Sequence, residues 1–209
     1  VAWEYIVPRP EFDVAQAVGL MVTQPVDAYF PAVGPTHMAQ VAGGAFQQGL
    51  TPLSMMAAPS FNDAFVREGF ALAPLFNSGS MYLMAFVGPY EMDTPGHATM
   101  RGTFQAMGID SANTFLVAGW ASQQHLKGVL EAAAKGGDLT RAGIRRAAAN
   151  VYVDSDGMMP TRELGQNRAD AESFIAIPDG TIGSGVRLLA GNYVGPTAGS
   201  HDWESGPCS

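Results

Sequence analysis

The stretch Asp93-Thr94-Pro95-Gly96-His97 reads letter for letter as a loop that meets magnesium and a γ-phosphate in nucleotide hydrolases. Such a loop needs a phosphate cradle of the GxxxxGK[ST] type upstream, because one carboxylate cannot hold a nucleotide. Neither lysine, Lys127 or Lys135, follows a loop of that kind, so the run reads as a Pro-Gly turn before a helix. Asp154-Ser155-Asp156-Gly157 starts like a calcium loop, but its glycine comes at the fourth position and Gly165 stands at the twelfth, where a bidentate Glu belongs. An Asx-rich turn is the simpler reading. His37, His97, His125 and His201 share no metal-ligand spacing and read as surface or helix-end residues. No GxSxG elbow occurs, and Cys208 sits beside the C-terminus, a poor place for a preorganised nucleophile. No paired carboxylates stand in an apolar setting. The expectation is no catalytic residue, no metal site and no cofactor.

Two loops are better candidates for a site. Pro31-Ala32-Val33-Gly34-Pro35 follows an apolar run and opens a helical pattern, without a GxGxxG fingerprint. Ala57-Ala58-Pro59-Ser60 stands in the equivalent place after the next run. Ligands bind outside the carboxyl ends of parallel strands, which is where both loops would lie. Their residues are small and uncharged, unlike a catalytic loop. Only Ser60 and the backbone offer polar contact, with Phe61 next in the chain as a ring.

The elements that must position these loops alternate. Trp3–Val7 reads as a strand stopped by Pro8 and Pro10. Asp13 is an N-cap before Val14, Ala17, Val18 and Met21, which share one helix face that Pro25 ends. Residues 26–30 are a strand. Thr36–Gln48 is a helix with Met38, Val41 and Phe46 inward and Gly49 as its terminal glycine. Residues 52–56 form a strand, Ser60 caps a helix over 61–69, and 80–87 is a strand apolar on both faces. Met55, Met56, Met81 and Met84 are read as core packing. This rhythm predicts an α/β fold, a parallel sheet with helices on both faces. Helices come next over 98–107, 114–134 and 141–150, the last capped by Thr140. A strand pair over 174–177 and 186–189 then flanks a Pro-Asp-Gly turn, and 192–209 reads as a polar strap.

The composition agrees with a packed globular chain. Of 209 residues, 47% are hydrophobic and only 14% charged, which argues against disorder and coiled coil. A net charge of -8 with two lysines makes a poor nucleic-acid surface. No segment is long and apolar enough for a membrane helix, and no secretory signal stands at the front. Without an initiator Met, Val1 is expected to begin partway into something longer.

The order of these segments resembles the second lobe of type I periplasmic solute-binding proteins, the group serving branched-chain amino-acid and amide ABC importers. The matching residues are Val26-Asp27-Ala28-Tyr29-Phe30, Gly34-Pro35, Met38-Ala39-Gln40 and Gln47-Gln48-Gly49-Leu50. The stretch 79–90 resembles a strand leading back across the hinge. Thr114-Phe115-Leu116-Val117-Ala118-Gly119-Trp120-Ala121 resembles the family's helix start, and Gly137-Asp138-Leu139-Thr140-Arg141 its next loop. The resemblance covers nearly the whole chain and rests on order and spacing rather than on one motif.

The resemblance implies that the chain is the C-terminal portion of a two-lobed fold. Residues 1–87 would be a second-lobe segment, 91–150 helices completing the first lobe, and 151–209 a return to the second lobe with a C-terminal strap. The implied function is non-catalytic capture of a small apolar or amino-acid-like solute by hinge closure, for an ABC permease. By the same resemblance, ligand contacts would come from Pro31, Ala32, Val33, Gly34, Pro35, Ala57, Ala58, Ser60, Phe61 and Phe115. In amino-acid binders of the family a carboxylate at the position of Ala58 pairs with the ligand's ammonium group. Its absence points to an aromatic acid, an amide or a short-chain acid, because a buried ammonium without a partner is costly. The implied partners are the ligand, the permease and the absent N-terminal half, with no nucleic acid. The implied place is periplasmic or cell-surface, a lipid anchor through the absent N-terminus being one form. A ligand-sensing receptor domain of the same architecture and an α/β enzyme are the alternatives.

Overall fold

The computed structural model describes residues 1–6, 11–160, 162–163 and 172–200, with backbone alone at 162–163. The chain divides into two compact units, one of 1–84 and 176–187, the other of 85–175 and 188–209. It therefore passes between them three times, after Met84, Ile175 and Arg187.

The first unit begins with α1 (Val14–Thr23). Asp13 caps it, Oδ1 accepting from the Ala15 amide at 2.8 Å. β1 is only Ala28–Tyr29. α2 (Pro35–Gln47) opens with proline at its first position, where the missing N–H costs nothing, and closes at Gly49 in the left-handed region (φ 74°). The two helices pack closely because α2 carries glycine at the contact. A Cβ on Gly44 would stand 2.8 Å from Val18 Cγ2. β2 (Leu53–Ala57) and β3 (Met81–Ala85) come next, with the short α3 (Ala73–Phe76) before β3. β1, β2 and β3 are parallel, with Tyr29 opposite Ser54 and Met56 opposite Leu83. Met38, Met56, Phe61, Phe76 and Leu83 form the centre of the core. Burial pushes the Tyr29 phenol above its ordinary pKa, the Ser54 hydroxyl acting the other way.

Two expected elements are absent. Residues 3–6 are not a strand, and Val7 lies outside the described residues. Trp3 and Tyr5 instead cover the seam of α1 and α2. The Trp3 indole donates to the Gln24 carbonyl at 3.0 Å and the Tyr5 hydroxyl to Gln16 at 3.1 Å. Their side chains serve as a lid on a small core, not as rungs of a ladder. Nor does Ser60 cap a helix over 61–69. That stretch makes tight turns at 58–60 and 63–66, with Asn62 Oδ1 accepting from the Ala64 amide at 2.9 Å. The stretch folds on its rings instead: Phe65 lies 5.2 Å from Phe70 and 4.7 Å from Phe76.

The second unit is built on α4 (Pro95–Ala106), α5 (Thr114–Lys135) and α6 (Arg141–Ala148). Asn113 and Thr140 cap the last two through their side-chain oxygens. β4 (Tyr152–Val153) pairs antiparallel with β5 (Arg162–Glu163). Gly128 lets α5 meet β4, since a Cβ there would reach Val153 Cγ2 at 2.9 Å. Val117 and Ala121 of α5 join Met100 and Phe104 of α4 in the core. The opposite side of α5 stays open, with Phe115, Leu116, Leu126 and Leu130 38–50% exposed.

β6 (Glu172–Pro178) and β7 (Val186–Val194) each run from one unit into the other. They complete a five-stranded sheet ordered β1-β2-β3-β6-β7. β6 alternates as a half-buried strand should, with Phe174, Ala176 and Pro178 inward. The expected polar strap is structured through 200: Asn192 to Val194 belong to β7, and α7 (Pro196–Ser200) comes after it. His201 and Cys208 lie outside the described residues. The fold class is α/β with a mostly parallel sheet flanked by helices, as the β-α rhythm predicts.

Candidate functional site

β1 and β2 are adjacent and parallel, so the loops that leave them emerge at one edge. Ser60 ties the two loops together. Its buried Oγ lies 2.5 Å from the Val33 carbonyl and 3.3 Å from the Pro31 carbonyl. One hydroxyl of the second loop thus fixes the path of the first.

The site residues fall into two layers. Pro31, Ala58, Ser60 and Phe61 are buried behind the surface. Phe61, expected as a ring for the ligand, stands edge-on to Phe65 at 6.1 Å within the core. Ala32, Val33, Gly34, Pro35, Ala57 and Pro59 form the accessible layer, and none is ionisable. Gly34 precedes α2 as an N-cap with no side-chain bond, so the first-turn N–H groups after Pro35 have no side-chain cap. Phe115 opens α5 in the second unit and is 48% exposed.

Sequence reasoning missed a set of long-range contacts within this unit. Arg67 donates to the Ile182 carbonyl at 3.0 Å and also to that of Gly183, and sits 3.7 Å from Asp63. Asn77 Oδ1 accepts from the Gly180 amide at 2.8 Å. These contacts fasten the 179–185 loop to the turn at 63–66, where a Cβ on Gly185 would come within 2.9 Å of Asp63 Cβ. No local signal could have paired residues more than a hundred positions apart. A shallow hollow of 280 Å³ lies at the amino ends of β1 and β2, lined by Pro25–Asp27 and Gly49–Pro52. It is at the wrong end of the sheet for this class of site.

The residues set aside on sequence grounds are structural. Asp154 Oδ1 accepts from the Asp156 amide at 2.9 Å, an Asx turn. Thr94 caps α4. The His37 ring lies tilted by 45° against that of Phe12, centroids 5.0 Å apart. His97 is fully buried, not a surface residue. Among the described residues, no three His, Cys, Asp or Glu side chains gather to hold a metal ion, and no helix is long and apolar enough to cross a membrane.

The chain passes three times between two compact units, one carrying a parallel sheet with uncharged loops at its carboxyl edge, a course expected of the two-lobed fold that the sequence resemblance implies. Comparison with solved structures agrees. A fatty acid ABC transporter substrate-binding protein from Thermomonospora curvata superposes with a TM-score of 0.79 at 19% identity, over 91% of this chain and 49% of that one. An ABC transporter substrate-binding protein from Aeropyrum pernix gives 0.65 at 15% identity, over 89% and 50%. A branched-chain amino acid ABC transporter protein from Thermus thermophilus with bound valine gives 0.64 at 13%, over 89% and 50%. The fold is that of half of an ABC-transporter substrate-binding protein of the branched-chain amino-acid type, as the sequence resemblance implies. The chain spans about half the length of these structures. No protein-family model and no curated protein matches the sequence.

Proposed function

We propose that this chain supplies one part of an extracytoplasmic solute-binding protein that feeds an ABC permease. It captures a small solute with a substantial apolar body and an acidic or amide head, and it does no chemistry on it. The observation that carries this reading is the pair of loops joined by Ser60, which present an uncharged, mostly apolar wall at the carboxyl edge of a parallel sheet. The accessible wall is Ala32, Val33, Gly34, Pro35, Ala57 and Pro59, with Phe115 retained as a contact on the strength of the resemblance. An apolar wall favours burial of hydrocarbon, at roughly 25 cal/mol per Å² removed from water. The uncapped first turn of α2 suits a carboxylate or amide oxygen. No acidic side chain stands in the wall to receive an ammonium group. Lobes that close over the solute and gain contacts only when closed supply the switch the permease reads. The open face of α5, with Leu126 and Leu130, is covered by the complementary half of the fold.

The test uses the intact two-lobed protein. Native mass spectrometry would identify any retained solute. Calorimetry would then compare a medium-chain fatty acid, an aromatic acid and valine. The reading expects an acid without an ammonium group to bind and valine to bind weakly or not at all. Ala32 is exposed, so Ala32→Glu leaves the fold intact and places an unpaired carboxylate in the wall. It should weaken binding of the acid by about tenfold or more. Unchanged or tighter binding in that variant, or a preference for valine, would sink the neutral-wall argument.

A further inference from the structure

Charge is unevenly spread along this acidic chain. Of its 11 Lys and Arg, five lie between 127 and 146: Lys127, Lys135, Arg141, Arg145 and Arg146. Of its 19 Asp and Glu, only Glu131 and Asp138 lie there. The stretch is the C-terminal part of α5, one loop and α6, all in the second unit. All five cations are exposed.

The two carboxylates are engaged locally. Glu131 meets Lys127, one turn before it, at 2.9 Å. Asp138 accepts from the Thr140 amide at 3.0 Å and from its hydroxyl at 2.5 Å, and pairs with Arg146. Gly143 lets α6 sit on that loop, since a Cβ there would run into the Asp138 carbonyl. Lys135, Arg141 and Arg145 meet no carboxylate among the described residues. Arg141 and Arg145 are one turn apart and share a face of α6, opposite the buried Gly143. Leu139, 61% exposed, stands in the chain between Lys135 and Arg141 and joins none of the apolar clusters of the core.

Helix stability explains only part of this arrangement. Lys135 and Arg145 stand in last turns, where the helix dipole favours a cation. Arg141 stands at the opposite end of α6, where the dipole is positive, and the first turn holds no acid. An unpaired cation there works against the helix, which is what residues placed for a function do.

We propose that this face, with Lys135, Leu139, Arg141 and Arg145 at its centre, docks on a lipid surface carrying anionic phosphate headgroups. A guanidinium group meets phosphate oxygens with two parallel N–H donors, and an exposed leucine enters the boundary between headgroups and acyl chains. An acidic protein surface would pair with the arginines but give Leu139 no apolar seat. Elsewhere in the chain acids outnumber bases, so repulsion turns the remainder away from an anionic plane and this face toward it. Nothing in the face belongs to the solute wall of the first unit, so the two stand or fall separately.

The experiment is vesicle sedimentation of the full chain at millimolar lipid. Vesicles of equal parts phosphatidylglycerol and phosphatidylcholine should retain it at about 0.1 M salt and release it at about 0.5 M, where exposed charges are screened within a few ångströms. Vesicles of phosphatidylcholine alone should not retain it. Each cation near an anionic surface is worth about fivefold in affinity, so Arg141→Gln with Arg145→Gln should weaken retention by about tenfold or more. Both side chains are exposed, and circular dichroism checks that the variant folds; if it does not, the salt series and the lipid comparison decide. Equal retention on phosphatidylcholine alone would assign binding to the open apolar face of α5 and overturn the proposal. So would no retention on the anionic vesicles, retention that survives high salt, or unchanged retention in the folded double variant. Complete displacement from the vesicles by soluble polyglutamate at equal negative charge would make an acidic protein the partner and likewise overturn it.

Discussion

Ser60→Ala is the sharpest probe of how the candidate site is held. The hydroxyl is 1% exposed and joins the loops after β1 and β2, 2.5 Å from the Val33 carbonyl and 3.3 Å from that of Pro31. Alanine keeps the backbone and removes only the oxygen, so no steric term enters. A single hydrogen has two acceptors within reach, which counts as about one bond, a net contribution of roughly 0.5–1.5 kcal/mol. The Pro31 contact is buried and the Val33 contact only partly so, so one carbonyl is left without water, adding about 1 kcal/mol. The sum is about 1.5–2.5 kcal/mol. With a urea m-value of about 2 kcal/mol/M this lowers the midpoint by about 0.75–1.25 M at constant m. Solute affinity should fall as well, because the loop at 31–35 loses its register. The control is Ser78→Ala, whose hydroxyl meets the Ser80 hydroxyl at 2.7 Å and accepts from the Ser80 amide at 3.3 Å, both on the exposed surface, and should change stability by less than about 0.5 kcal/mol. Equal, small midpoint shifts for the two variants would refute the claim that Ser60 sets the loop geometry.

The packing and charges set three further outcomes. Gly44→Val should destabilise by about 1–3 kcal/mol, because its Cβ would meet Val18 Cγ2 at 2.8 Å; adding Val18→Ala should restore much of the loss in a double-mutant cycle. Asp179 accepts from the Thr181 amide and hydroxyl and from Arg187, which hold its carboxyl below the ordinary 3.8. Its contribution is complete above about pH 3.8 and is lost as pH falls through the lower folded value, so Asp179→Asn should remove part of the acid sensitivity seen in a pH series of unfolding midpoints. Leu126→Glu with Leu130→Glu should leave helix content by circular dichroism unchanged, since both side chains are exposed, while abolishing co-purification with the complementary half of the fold. Retained co-purification would show that the open face of α5 is not the one covered.

The sequence made the helices and the parallel strands legible for a physical reason. α1, α5 and α6 each begin at a side chain, Asp13, Asn113 or Thr140, whose oxygen satisfies a backbone N–H that only a helix leaves free. β2 and β3 carry apolar runs bounded by Gly and Pro. Where the reading failed, a local signal competed with a distant one. Trp3-Glu4-Tyr5-Ile6-Val7 has strand composition, but its rings are worth more as cover for α1 and α2. Ser60 has the type of an N-cap, but its hydroxyl is taken by carbonyls nearly thirty residues earlier, so the segment behind it turns on Asn62 and packs its phenylalanines inward.

The same competition explains what could be read of the site. Position was legible, because a loop after a parallel strand must emerge at the carboxyl edge whatever its residues. Depth was not. Phe61 and Ala58 are as apolar as Val33 and Ala57, and nothing in their types says that the first two are buried while the second two stay partly accessible. A catalytic site betrays itself by charge held where charge is costly. A wall of Ala, Val, Gly and Pro has no such cost to reveal, so its sequence looks like any turn. At His97 type and place disagree: a titratable ring with no metal-ligand spacing is fully buried at a helix start and held by two hydrogen bonds of opposite direction. Those directions are set by Gly88 and Thr94, which the sequence places nearby without saying that they converge on one ring.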